Sequence, residues 1–203
     1  MVSTALLAML FTADCREIIH VADWHWVSGT AFVADGEDQN DYAAFLDKVD
    51  SVQREQMAAL KAMNAKVVWI EGNSDQTIAD YRLHIETLKK VKLPNGDSVV
   101  DQFIRDSYRE DVLQIGDAGR LLIAGEIDDV LPLEDHEAWR AANPLASGKA
   151  EICEAANTRR EQAIVKRLLS HERAVIVLGA AHDLRKHLPA AIKYRVGKVK
   201  ALP

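Results

Sequence analysis

Cysteine is scarce in this chain. Only Cys15 and Cys153 occur in 203 residues. Their separation excludes a Cys-x-x-Cys redox or metal pair, and two reduced thiols in a reducing compartment is the default reading. A single bridge between them stays open. Long hydrophobic runs are also missing. The one apolar N-terminal stretch, residues 2–13 (VSTALLAMLFTA), is too short to span a bilayer. It reads either as a packed N-terminal segment or as a secretory leader without a preceding Lys or Arg. The cytoplasm fits the first reading, export with residues 1–13 cleaved fits the second, and no transmembrane segment is expected. Positive charge is in deficit, with a net charge of −6 and a pI near 5.6. No basic stretch or Arg/aromatic platform appears, so nucleic acid is not an expected partner. The lysines of residues 193–200 alternate as on an edge strand.

Several signatures are absent. There is no Gly-x-Ser-x-Gly elbow, Walker loop, Rossmann glycine fingerprint or His-Glu-x-x-His helix. Serine or cysteine nucleophilic chemistry therefore has little support. No internal repeat or low-complexity linker divides the chain.

What is there is an α/β pattern. Residues 17–23, 66–71, 173–178 and 193–199 read as strands. VVWI and AVIVL are continuous apolar runs, as expected of strands covered on both faces. Residues 41–63, 75–91, 101–124 and 151–170 read as helices. LLIA, inside the third of these, could instead be a short strand, and residues 130–135 read as a loop. The expected fold is one α/β domain over residues 1–203, its mainly parallel central sheet flanked by helices. Residues 95–150 form a helical excursion in mid-chain.

Two apolar runs end in a short spacer and a histidine: Ala22-Asp23-Trp24-His25 and Gly179-Ala180-Ala181-His182. Ligands bind at the carboxyl ends of parallel strands, so His25 and His182 are expected to converge on a site. Gly179 would permit a sharp turn and close ligand approach. Glu71 ends the VVWI run, where a carboxylate is costly unless paired, metal-bound or catalytic. Arg160 lies four residues from both Ala156 and Ile164, inside the apolar stripe of its helix, and needs an anionic partner such as Glu71 or Asp23. Trp24 and Trp26 beside His25 could wall a pocket, or simply pack in the core. His20 reads as a satisfied core histidine. His84, His136, His171 and His187 read as surface or loop residues.

This ordered set resembles a superfamily that unites the erythromycin-esterase family, the ChaN-like haem-binding proteins and the TraB/TIKI proteins. Gly179-Ala180-Ala181-His182 matches the second Gly-x-x-His motif of that group. Ala22-Asp23-Trp24-His25 is similar to the first, with Ala for Gly and Asp for Glu. Trp69-Ile70-Glu71-Gly72 looks like the glutamate motif, and Arg160-Glu161-Gln162-Ala163-Ile164 like the arginine motif. Residues 118–135 look like an uncharacterised bacterial branch. The resemblance implies a hydrolase of an ester, lactone or peptide bond. In it, His25 and His182 hold a divalent metal (Mn, Fe, Co or Zn) or activate water. Glu71 serves as ligand or base, Arg160 stabilises negative charge, and Asp23 orients His25 or completes the metal shell. The expected partner is a small-molecule or peptide substrate, and a homo-oligomer is open. The alternatives are a haem- or iron-binding protein, with Tyr42, Tyr81, Tyr108 or Tyr194 as axial ligand, and a non-catalytic member of the fold.

Overall fold

The computed structural model of the chain describes residues 16–24, 36, 38, 41–143 and 153–197. Five strands form one parallel sheet: β1 (Glu17–Asp23), β2 (Val67–Ser74), β3 (Asp129–Glu134), β4 (Arg173–Gly179) and β5 (Lys193–Gly197). Their order is β3-β2-β4-β1-β5. Among the described residues six α-helices accompany them: α1 (Tyr42–Ala62), α2 (Ile78–Leu88), α3 (Val99–Gln114), α4 (Gly116–Ile123), α5 (His136–Ala142) and α6 (Glu154–Leu168). A 3-10 turn (Leu184–His187) links β4 to β5.

Strand alternation divides the core into two layers. Ile19 and Val21 of β1, Val68 and Ile70 of β2, and Val175 and Val177 of β4 meet Leu60 of α1 and Ala118 and Leu121 of α4. Ile18, Trp69, Ala174, Ile176 and Leu178 meet Ile164, Val165 and Leu168 of α6 on the other face. The connections follow from chirality. From β1 to β2 to β3 the chain moves one way along the sheet, and from β3 to β4 to β5 it moves back. Right-handed crossovers in opposite directions put their helices on opposite faces. The neighbours β2 and β4 therefore send their onward connections apart, and a crevice opens at their carboxyl ends.

Two local expectations are corrected and one alternative falls away. Residues 130–135 are not a loop, since 129–134 form the edge strand β3. Pro132 in an apolar run signals a loop, but an edge strand tolerates a missing donor. Residues 101–124 are two helices, because Gly116 takes a positive φ of 69° between α3 and α4. The LLIA segment is helical, not a strand. Residues 95–150 contribute α3, α4 and α5 but also β3, which belongs to the central sheet. No helix among the described residues is long and apolar enough to cross a membrane.

Candidate functional site

The centre of the site is Arg160 on α6. Ala156, Arg160, Ile164 and Leu168 share the buried face at four-residue intervals, so the guanidinium is carried under the strand ends. Its Nε and Nη2 grip the Glu134 carboxylate in a bidentate pair, with Nε to Oε2 at 3.0 Å. Nη2 also reaches Glu71 Oε1 at 2.6 Å. Glu134, at the end of β3, is fully buried. Burial opposes the charge on Arg160, but the hydrogen bonds and charge of Glu134 and then Glu71 outweigh it, so its pKa is raised.

Glu71 joins the strands. Its Oε2 accepts the Gly179 N–H at 2.5 Å, tying β2 to β4 across their carboxyl ends. The positive φ at these ends belongs to Gly72 (75°), not to Gly179, which contributes its N–H. The Gly72 N–H in turn donates to Glu134 Oε1 at 3.3 Å.

His182 follows β4 after a turn in which its N–H donates to the Gly179 carbonyl. Its Nε2 lies 3.3 Å from Arg160 Nη1 and 3.5 Å from Glu71 Oε1. Its Nδ1 lies 3.1 Å from Glu161 Oε1. Glu161 is 2% exposed, and its Oε2 takes Lys186 at 2.8 Å and His187 at 3.1 Å. The His182 pKa is raised, first by its contact with Glu71, against the opposing effect of burial, and then by the charge of Glu71 and the bond to Glu161. Burial would raise the Glu161 pKa, but its hydrogen bonds with Lys186 first and then His182 and His187, together with the charge of Lys186, hold it low.

Sequence reasoning brought Glu71, Arg160, His182 and Gly179 to one place, and the structure joins all four. It missed Glu134 and Glu161. Glu134 ends an apolar run, as Glu71 does, but the run contains Pro132. Glu161 is next to Arg160, about 100° around the helix, and reads as solvent-facing until the 3-10 turn packs over it. His187 belongs to this network and is not a simple surface residue. His20 is a satisfied core histidine as expected. Its ring nitrogens lie 2.6 Å from Tyr194 Oη and 2.7 Å from the Leu178 carbonyl, and burial lowers its pKa.

His25 and Trp26 lie outside the described residues. Asp23 accepts a hydrogen bond from Gln56 at 3.1 Å and lines a cleft on the other side of Glu71. Trp24 packs edge-on against Phe45 and is not among the residues lining that cleft. Among the described residues no three His, Cys, Asp or Glu side chains gather as a metal-ligand set. The space between Glu71, Glu134 and His182 Nε2 is filled by a guanidinium. A divalent ion there would face a fixed cation competing for the same oxygens, so these residues do not fit Mn, Fe, Co or Zn. Of the tyrosines considered for haem, Tyr42, Tyr81 and Tyr194 already bond Glu110, the Ile115 carbonyl and His20.

Compared with protein-family models, curated proteins and solved structures, the chain matches none.

Proposed function

We propose that the protein is a hydrolase of ester, lactone or peptide bonds in which His182 activates water. The reading also follows the resemblance to the erythromycin-esterase, ChaN-like and TraB/TIKI group. The observation that carries it is the placement of the imidazole. Nδ1 is oriented by the buried Glu161 carboxylate, and Nε2 sits between a donor, Arg160 Nη1, and an acceptor, Glu71 Oε1. With Nδ1 protonated, Nε2 carries the lone pair, which faces Arg160 Nη1 at the strand ends and takes a water proton when Nη1 gives way. A proton taken from water at Nε2 is stabilised by Glu71 and Glu161.

The balance is that of hydrolysis. Water oxygen bonds to the carbonyl carbon while His182 Nε2 takes its proton. The carbon–oxygen or carbon–nitrogen bond then breaks, and Nε2 returns the proton to the leaving group. Glu71 has its oxygens bound to Arg160 and Gly179, which suits an electrostatic role better than that of the base. Arg160 spends Nε and Nη2 on carboxylates and one Nη1 hydrogen faces His182 Nε2, which leaves the second Nη1 hydrogen to meet an oxyanion.

The test is hydrolysis of a panel of aryl esters, lactones and short peptides by wild type and His182→Ala. The expected loss in kcat/KM is about 100-fold or more, measured at a temperature where the variant is still folded. Because His182 must be neutral to act, wild-type kcat/KM should rise with pH through a midpoint above 6.5, the ordinary histidine value. Equal activity in the variant, or no hydrolysis of any member by wild type, would sink the proposal.

A further inference from the structure

A cleft of about 350 Å³ opens at the carboxyl ends of β1, β2 and β4, beside α4. Asp23 and Asp117 bring carboxylates to it from β1 and α4, Glu71 borders it with its own oxygens held by Arg160 and Gly179, and Ile70 and Val177 give it an apolar floor. No lysine or arginine is among its described lining residues. Asp117, in the first turn of α4, is 2% exposed. Its Oδ1 accepts the Ala118 N–H at 2.6 Å, while Oδ2 is buried and meets no donor. His84 Nε2, from a second lining residue, is also buried without a partner. The nearest arginine on the same helix, Arg120, is committed to α1. It bonds Asp50 at 2.7 Å and Gln53 at 3.0 Å.

An unpaired carboxylate oxygen in such a place is costly, and a donor supplied from outside removes the cost. A cationic donor fits best, because Asp117 and the neighbouring Asp23 repel anions and no lysine or arginine among the described lining residues offsets them. The N-terminus of α4 does not reverse this, since Asp117 itself takes the Ala118 N–H. The donor is organic, not a metal ion, because no three ligating side chains converge among the described residues and the floor is hydrocarbon. We propose that this cleft binds a small aliphatic ammonium ion, its N–H donors on Asp117 Oδ2 and its carbon body on Ile70 and Val177. Binding is read without turnover, so it stands or falls separately from hydrolysis by His182.

Asp117 is held toward its protonated form, with a pKa pushed up to about 7, by burial first and then by the charge of Asp23. The charged or titratable groups around it are Asp23 on β1, Glu71 on β2, Tyr81 and His84 on α2, Arg120 on its own helix, and Asp50 of α1 behind Arg120. A bound ammonium favours the ionised carboxylate, so binding below that pKa releases a proton.

The experiment measures thermal shift and calorimetric binding of pentylamine and 1,4-diaminobutane to the full chain near pH 8. Pentanol and magnesium chloride serve as controls. Millimolar amine should raise the melting temperature by several degrees. The near-isosteric Asp117→Asn should weaken amine binding about tenfold or more. If that variant fails to fold, wild type alone decides. Calorimetry at about pH 6.5, in two buffers of different ionisation enthalpy, should show proton release on amine binding. The proposal is overturned by pentanol binding as well as pentylamine, by a shift with magnesium alone, by equal amine affinity in Asp117→Asn, by absence of proton release, or by no response to amine.

Discussion

Two sets of buried charge sit on either side of Glu71, and they are built in opposite ways. Around Arg160, each group meets a partner: Glu134 grips the guanidinium, Glu71 bridges to Gly179, and Glu161 gathers His182, His187 and Lys186. In the cleft beside it, Asp117 is as deeply buried but keeps one oxygen without a donor. The first set fixes geometry, because removing any member leaves a charge stranded in low dielectric. The second holds an unmet demand, and such a demand is what a ligand can satisfy. A fully paired network and an unpaired carboxylate oxygen thus lie a few side chains apart.

The contrast can be broken first at Glu134. Glu134→Gln leaves Arg160 with one carboxylate in place of two and should cost about 3 kcal/mol or more, read from the urea midpoint. A loss under about 1 kcal/mol would mean the network is not held together by charge pairing.

A finer cut is Glu71→Gln, which removes the largest influence raising the His182 pKa. The imidazole titration followed by NMR should move to lower pH than in wild type. The linked stability has a definite sign. With the folded pKa raised above 6.5, His182 contributes its full stabilisation below pH 6.5 and loses it as pH climbs through the folded value. The variant should show a shallower fall over that window. An unmoved His182 titration would mean that Glu71 does not hold the His182 pKa up.

The last comparison is Asp117→Asn without ligand, and its direction is opposite. The folded carboxyl binds a proton up to about pH 7, whereas the unfolded one releases it near 3.8. Wild-type stability from this group therefore falls as pH rises across that interval. The variant escapes the fall and should be the more stable near pH 8, with the gap closing toward pH 4. A variant less stable than wild type near pH 8 would mean that Asp117 already has its counter-charge.

Legibility in the sequence followed burial pattern. Strands β1, β2 and β4 announce themselves as apolar runs because both faces are covered. The edge strand β3 does not, since Pro132 and the flanking acids mimic a loop, and Glu134 was lost with it. Arg160 was legible because a charge at i+4 spacing in an apolar stripe is conspicuous. Glu161, one residue on, was not, because what buries it is a turn some twenty residues later in the chain. The cleft was invisible for a similar reason. Asp117 looks like an ordinary acid at a helix start, and only the sheet order sets it near Asp23 and Glu71.

The ladder between β2 and β4 consists of two residue pairs, Trp69 with Ile176 and Ile70 with Val177, whereas β1 and β4 share seven. The sheet is therefore two blocks, β3-β2 and β4-β1-β5, meeting at a narrow seam. Glu71 and Arg160 clasp that seam just beyond its last pair. Sub-global opening has its lowest barrier where cross-links are fewest, so amide exchange at residues 69–72 and 176–179 reports on the clasp itself. Any ligand that tightens Glu71 slows the breathing of the whole sheet, and any that competes for Arg160 speeds it.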